Sequence, residues 1–334
     1  MIKKIWLIVL IGMLFAPAAH AQKAAPLRLI QTIPMPDVQG RIDHFDVDLA
    51  GSRLFMSALD NNTLEVFDLR ANKLIRTIRG LHEPQGVTYA PQSNRIFVAN
   101  GGDGICRIFD GSTFRLLKIV HFPSDADDTR YDPAARRVFV GYGDDGNAGL
   151  GILDDSTGKL LGTIKLPGHP ESFQLEESGP RIFVNIPTVG NIVDVVDRNE
   201  RKIVATWTVG GARENFPMAL DETDRRLFIT CRRPAEMLVL DTQSGKVIAR
   251  VPCVGDADDM WYDAAHKRIY ISGGEGFISV IQQDDVNHYQ RIVQIKTVPG
   301  ARTSFFAPQL NRLYLVVRWR GNQSAELRVY HIQP

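Results

Sequence analysis

From residue 26 onward the chain is a succession of short runs in which apolar residues alternate with polar ones or stand together, each broken by Gly, Pro, Asn, Asp or Ser. Runs of that length and period predict strands, and no stretch keeps the 3.6-residue spacing of an amphipathic helix. The clearest set is Gly86 to Ala90, Arg95 to Ala99, Ile105 to Asp110 and Leu116 to Phe122. The turns between them are Pro91-Gln92-Ser93-Asn94, Gly101-Gly102-Asp103-Gly104 and Gly111-Ser112-Thr113. A basic-aliphatic-aromatic triplet recurs along the chain: Arg53-Leu54-Phe55, Arg95-Ile96-Phe97, Arg137-Val138-Phe139, Arg181-Ile182-Phe183, Arg226-Leu227-Phe228, Arg268-Ile269-Tyr270 and Arg312-Leu313-Tyr314. Successive copies lie 42, 42, 44, 45, 42 and 44 residues apart.

A period in the low forties built from four short strands predicts an all-β, seven-bladed β-propeller, because each small sheet must bury both faces against its neighbours. Residues Leu27 to Ile33 read as an outer strand with no blade of their own, and the last copy ends on Ala325 to Ile332. The N-terminal strand is therefore expected to complete the last blade, which removes two exposed sheet edges. With no linker or low-complexity segment, residues 22 to 334 are expected to form a single domain. The third strand of five copies ends in Asp68, Asp110, Asp154, Asp197 or Asp241. Such a side chain accepts from backbone amides two residues on, so this Asp is read as a turn-former.

The strand Arg95-Ile-Phe-Val-Ala-Asn100, its Gly-rich turn and Ile105-Cys-Arg-Ile-Phe-Asp110, with Val239-Leu-Asp-Thr-Gln-Ser-Gly-Lys246, resemble the YVTN-repeat propellers. The YncE-like periplasmic proteins are the nearest group of that family. The resemblance covers essentially all of the chain beyond residue 21. It implies a propeller fold and a binding module, with DNA binding suggested for one branch. The chain departs from the pattern in lacking a literal Tyr-Val-Thr-Asn and in placing Gln282 and His331 at the third-strand ends of its last two copies.

The N-terminal segment changes the picture of where the protein works. Lys3 and Lys4, the apolar stretch Ile5 to Phe15 and Ala19-His20-Ala21 form a charged, apolar and small-x-small series. This predicts a signal peptide over residues 1 to 21, cleaved to leave a periplasmic or secreted chain with no membrane span, since the apolar core is about half as long as a spanning helix needs. Removing Lys3 and Lys4 turns the formal charge of +1 into −1. That balance lacks the basic field of a nucleic-acid binder and speaks against such a partner. Cys106, Cys231 and Cys253 are an odd set that allows at most one disulfide. They read as small buried hydrophobes, with a Cys231 to Cys253 bridge left open.

Candidate chemistry follows from the repeat register. Inner strands of a propeller start around the central channel, where residues from every blade converge. Ten residues before each repeat Arg stand Asp43, Gln85, Asp127, Glu171, Phe216, Asp258 and Arg302; nine before stand His44, Gly86, Asp128, Ser172, Pro217, Asp259 and Thr303. Acid is thus concentrated at the channel mouth, and Asp125-Ala-Asp-Asp128 recurs as Asp256-Ala-Asp-Asp259. Either these carboxylates cap strand starts and pair with Arg41, Arg130, Arg213 and Arg302, or they form a site. Oxygen ligands from several blades suit Ca²⁺ or Mg²⁺, and His44 would admit a transition metal. His82 and His169, each beside a proline, read as loop-packing groups.

No nucleophile motif, phosphate loop or H-E-x-x-H is visible. The expectation is a non-enzymatic binding or scaffolding propeller, monomeric, whose mouth holds a cation or a cation-bearing small ligand through Asp43, His44, Asp127, Asp128, Glu171, Asn215, Asp258, Asp259 and Arg302. The alternative is a metal-dependent hydrolase of lactones or similar esters. Glu171, Asn215, Asp259 and Asp43 are similar in residue type to the metal-holding set of propeller lactonases, which commonly have six blades.

Overall fold

The computed structural model describes residues 25 to 144 and 146 to 334. The signal-peptide reading of residues 1 to 21 therefore lies outside the described residues. Seven four-stranded antiparallel sheets form the ring. Blade two runs Pro84–Ala90, Arg95–Asn100, Ile105–Asp110 and Leu116–His121 from the channel outward, close to the runs expected from the sequence. Only a three-residue 3₁₀ turn, Pro308–Leu310, is helical among the described residues. No helix there is long and apolar enough to cross a membrane.

Every repeat Arg opens the second strand of its blade, from Arg53–Ala58 to Arg312–Val317. The aromatic two residues on is buried in all seven copies. Each ring enters the apolar layer between its own blade and the next: Phe97 packs with Val138, Val140 and Tyr142 of blade three, and Tyr314 of blade seven packs with Phe45 and Leu54 of blade one. Seven such layers, one per junction, make up the core. Truncating one of these rings to alanine would cost roughly 3–5 kcal/mol, because a close-packed layer cannot refill the space. Leu27–Pro34 pairs antiparallel with Glu326–Ile332, so the outer strand of blade seven comes from the N-terminal end.

The third-strand Asp shapes the outer turn by accepting from two backbone amides. Asp68 accepts from Arg70 and Ala71 at 2.8 and 2.9 Å, and Asp110 from Ser112 and Thr113 at 3.0 and 2.7 Å. The same residue faces the repeat Arg across the ladder, as Arg137 faces Asp154 and Arg226 faces Asp241. Gln282 and His331 occupy that register opposite Arg268 and Arg312, so the two departures keep a partner for the Arg.

All three cysteines are buried and unpaired. Cys231 lies beside Glu236 on one side of the strand Ala235–Asp241, and Cys253 lies beside Ala235 on its other side. Two strand spacings, roughly 9.5 Å, separate such positions. A disulfide reaches about 7 Å between α-carbons at most, so the bridge left open by the sequence does not form.

Candidate binding site at the channel mouth

Bulges at the starts of the inner strands place the mouth residues. In blade one Asp43 and His44 both oppose Ser57, in blade three the register slips between Ala126 and Thr129, and in blade six it slips between Ala257 and Asp259. One extra residue breaks the in-out alternation and re-aims side chains. This is why consecutive residues, Asp43 with His44 and Asp258 with Asp259, both reach one cavity.

That cavity measures about 60 Å³, room for a handful of waters. Asp43, His44, Asp127, Glu171, Asp258 and Asp259 line it, so six of the nine residues expected at the site share one space. Phe216, Met218, Met260 and Trp261 form an apolar wall on the side of blades five and six. The remaining three lie outside the lining. Asn215 is fully buried, and its amide donates to the Asn185 side chain and the Ile192 carbonyl, each at 3.0 Å. The lactonase-like set of Glu171, Asn215, Asp259 and Asp43 is therefore not assembled around the cavity. Arg302 stands behind Asp258, and Asp128 is buried below the mouth.

Several carboxylates are held by the protein itself. Asp128 accepts from the Thr129 amide at 2.8 Å and from the Arg130 guanidinium. Asp258 is clamped between Arg232 at 2.6 Å and Arg302 at 2.9 Å, with the Arg232 guanidinium stacked 3.8 Å from the centre of the Phe216 ring. Asp259 accepts from the Ser304 amide at 2.7 Å. For these three the strand-capping and Arg-pairing reading holds.

Asp127 differs. Among the described residues no arginine and no backbone amide reaches it, and its buried Oδ1, like Oδ2 of Asp128, has no hydrogen-bond partner. Its neighbours are histidines: His169 Nε2 lies 3.2 Å from Oδ2, and His44 Nε2 lies 3.8 Å from Oδ1. Glu171 Oε2 stands 4.0 Å from His169 Nε2. Atoms of Asp127, His169 and Glu171 all fall within 4.8 Å of one another, a spacing that a metal ion could bridge. His169, read from the sequence as loop packing, is thus central. The signal was available, since it stands two residues before Glu171 in the register that defines the mouth. His82, read from the sequence as loop packing, is exposed and does not line the cavity.

Burial and mutual repulsion shape the ionisation. Burial pushes Asp43 up to about 6, Asp259 to about 7 and Glu171 to about 8, with the charge of Asp127 adding to the rise at Glu171 and Asp43. Burial alone would hold the imidazoles neutral. The surrounding carboxylates outweigh it and raise both to about 10, Asp128 and Asp43 acting on His44, and Asp127 on His169. The site thus balances part of its carboxylate charge with imidazolium.

No family model matches the chain, and no curated protein matches it. Among solved structures, 1764 chains match, a breadth that belongs to the fold and points to no single activity. A chain of the Kuenenia stuttgartiensis hydrazine synthase is similar at 16% identity with a TM-score of 0.72, covering 94% of this chain and 99% of that one. A chain of the mitotic checkpoint complex is similar at 12% identity with a TM-score of 0.76, covering 98% and 99%. At such identities the likeness shows the seven-bladed propeller and nothing of the site.

Proposed function

We propose that this chain is an exported, periplasmic binding propeller, of the YVTN-repeat and YncE-like kind its repeats resemble, whose channel mouth captures a cation or the cationic group of a small ligand without turning it over. The observation that carries this reading is the gathering of Asp43, Asp127, Glu171, Asp258 and Asp259 from four blades into one small cavity, where burial first and neighbouring carboxylates second hold Asp43, Glu171 and Asp259 above their ordinary pKa. A cation entering that space relieves repulsion built into the fold, so it stabilises the folded chain by mass action. The apolar wall of Phe216, Met260 and Trp261 suits the hydrocarbon part of an organic cation.

Thermal unfolding with Ca²⁺, Mg²⁺, Zn²⁺, a small organic ammonium panel or chelator is the test. At least one cation should raise the melting temperature at saturation, and Asp127→Asn should remove the rise. If no cation shifts the transition, the mouth is not a cation site. A hydrolase is the second reading, since three closely spaced metal-type ligands would leave a coordination position for water. Turnover of a lactone panel with added metals would favour it over the binding role.

A further inference from the structure

Resting on that reading and narrowing it, we infer that Asp127 Oδ2, His169 Nε2 and Glu171 Oε2 form an open, three-ligand centre for a divalent transition cation of the zinc class, and not a site for Ca²⁺ or Mg²⁺. Four observations carry the inference. The first is spacing. Two ligand atoms on a tetrahedral ion with bonds near 2.0–2.1 Å stand roughly 3.3 Å apart. His169 Nε2 and Asp127 Oδ2 already stand 3.2 Å apart. Glu171 Oε2, at 4.0 Å from the same nitrogen, needs only a small rotation of a long side chain to close.

The second is the orientation of the imidazole. The Gly143 carbonyl oxygen can only accept, and it lies 2.6 Å from His169 Nδ1, so that nitrogen carries the hydrogen. Nε2 is then the nitrogen turned toward the two carboxylates, where an entering ion would displace the hydrogen it holds against Asp127. A backbone carbonyl holding the far nitrogen of a ligating histidine is the usual outer support of such centres. The third is Asp127 itself, more than nine-tenths buried, with Oδ1 lacking any hydrogen-bond partner and His44 3.8 Å away on that side. An unpaired buried carboxylate oxygen is costly unless a cation is nearby.

The fourth is the donor set. Calcium takes six to eight oxygens and magnesium a rigid octahedron of oxygens with several waters. An imidazole nitrogen with two carboxylates suits zinc-class ions. Two of the other acids of the mouth are engaged elsewhere: Asp258 by two arginines, Asp259 by the Ser304 amide. Three protein ligands leave a fourth position facing the cavity, the arrangement of a reactive or exchangeable centre and not of a closed structural one.

Isothermal titration of the tag-free chain with Zn²⁺, Co²⁺, Ca²⁺ and Mg²⁺ at one pH, with the visible spectrum of the Co²⁺ form, tests this. The expected result is one equivalent of Zn²⁺ or Co²⁺, intense low-coordination Co²⁺ bands, and binding of Ca²⁺ and Mg²⁺ at least 100-fold weaker. Glu171→Gln and His169→Gln should each weaken Zn²⁺ at least 30-fold. His288→Ala, which removes the exposed Asp285–His288 pair on the opposite face, should leave it unchanged. Glu171→Gln keeps size and shape at the cavity edge, so it reports even if the histidine variant fails to fold. Ca²⁺ binding as tightly as Zn²⁺, or Zn²⁺ binding indifferent to Glu171→Gln, overturns the centre while leaving a cation-binding mouth in place. Failure of every metal and every organic cation to bind removes both.

Discussion

The tetrapeptide Asp-Ala-Asp-Asp occurs in blades three and six, at the same step of the repeat, with its first residue in the left-handed region both times, φ 33° at Asp125 and 52° at Asp256. The surroundings are opposite in charge. Around blade six, Arg232 comes from the second strand of the preceding blade and Arg302 from the inner-strand entry of the following one, and together they clamp Asp258 and hold Asp256. The equivalent positions around blade three are Gly101 and Glu171. Asp127 therefore lacks both guanidiniums that Asp258 has, and among the described residues its cationic neighbours are His169 and His44. The lesson is that a carboxylate motif becomes a salt-bridged strap or a candidate site according to what the adjacent blades contribute.

The largest effect should come from breaking the strap. Arg302 and Asp258 are each about four-fifths buried, at 20% and 18% side-chain exposure. Arg302→Ala leaves a buried carboxylate short of one partner, and roughly 3 kcal/mol of stability should be lost in urea unfolding. Asp127→Asn should by contrast change the ion-free chain by less than about 1 kcal/mol, because it removes repulsion along with a hydrogen bond. Equal losses for the two variants would erase the distinction between the motifs.

Glu171→Arg puts at blade four the residue that blade seven carries, and so converts one motif's environment into the other's. The chain should fold with unchanged or higher stability, while zinc affinity by titration falls about 100-fold, close to 2.7 kcal/mol. Retained zinc binding would mean that the arginine-free neighbourhood is not what opens the site.

The pH dependence comes next. Asp43, Asp259 and Glu171 have folded pKa values raised to about 6, 7 and 8. Between roughly pH 4 and 8 the folded chain thus holds protons that the unfolded chain has released, and stability must fall as pH rises through that window. His44 and His169, raised to about 10, act in the same direction above their ordinary value near 6.5: their contribution is complete below it and is lost as pH climbs toward 10. Chemical unfolding of the chelator-treated chain from pH 5 to 9 should show a decline of about 1.4 kcal/mol per unit for each proton involved. Glu171→Gln should flatten it below pH 8. A stability that rises across this range would contradict the ionisation of the mouth.

The smallest effect lies at the first Asp of each motif. Asp125→Gly relieves a left-handed conformation at a side chain held only by Gln85 and near His169, so a gain of roughly 0.5 kcal/mol is expected. Asp256→Gly relieves the same strain but loses the 2.8 Å bond from Arg302, and melting should show no gain.

Much of the architecture was legible because its signals are local and repeated. The Arg-aliphatic-aromatic triplet marks the second strand in all seven blades, and the terminal Asp of the third strand makes its turn with amides two and three residues on, as at Asp197 with Asn199 and Glu200. The mouth was legible as a set of positions: counting back from each repeat Arg reached Asp43, His44, Asp127, Glu171, Asp258 and Asp259, which line one cavity. Roles within that set were less so. Asn215 looked like a ligand by type, yet its amide is spent on Asn185 and Ile192; His169 looked like packing, yet it faces Asp127 and Glu171.

The sequence by itself determined the seven-fold repeat, the strand order within a blade and which residues stand at the channel entrance, since each depends on spacing along one blade. Which of two identical acidic motifs is neutralised and which is left open was decided only by the tertiary structure. The deciding groups, Arg232, Arg302, His169 and Glu171, sit on neighbouring blades, 26 residues away in the chain for Arg232 and some forty for the others. Charge interactions act through space over a few ångströms, and bulges at the strand starts, not the alternation of the strands, set which side chains come within that reach.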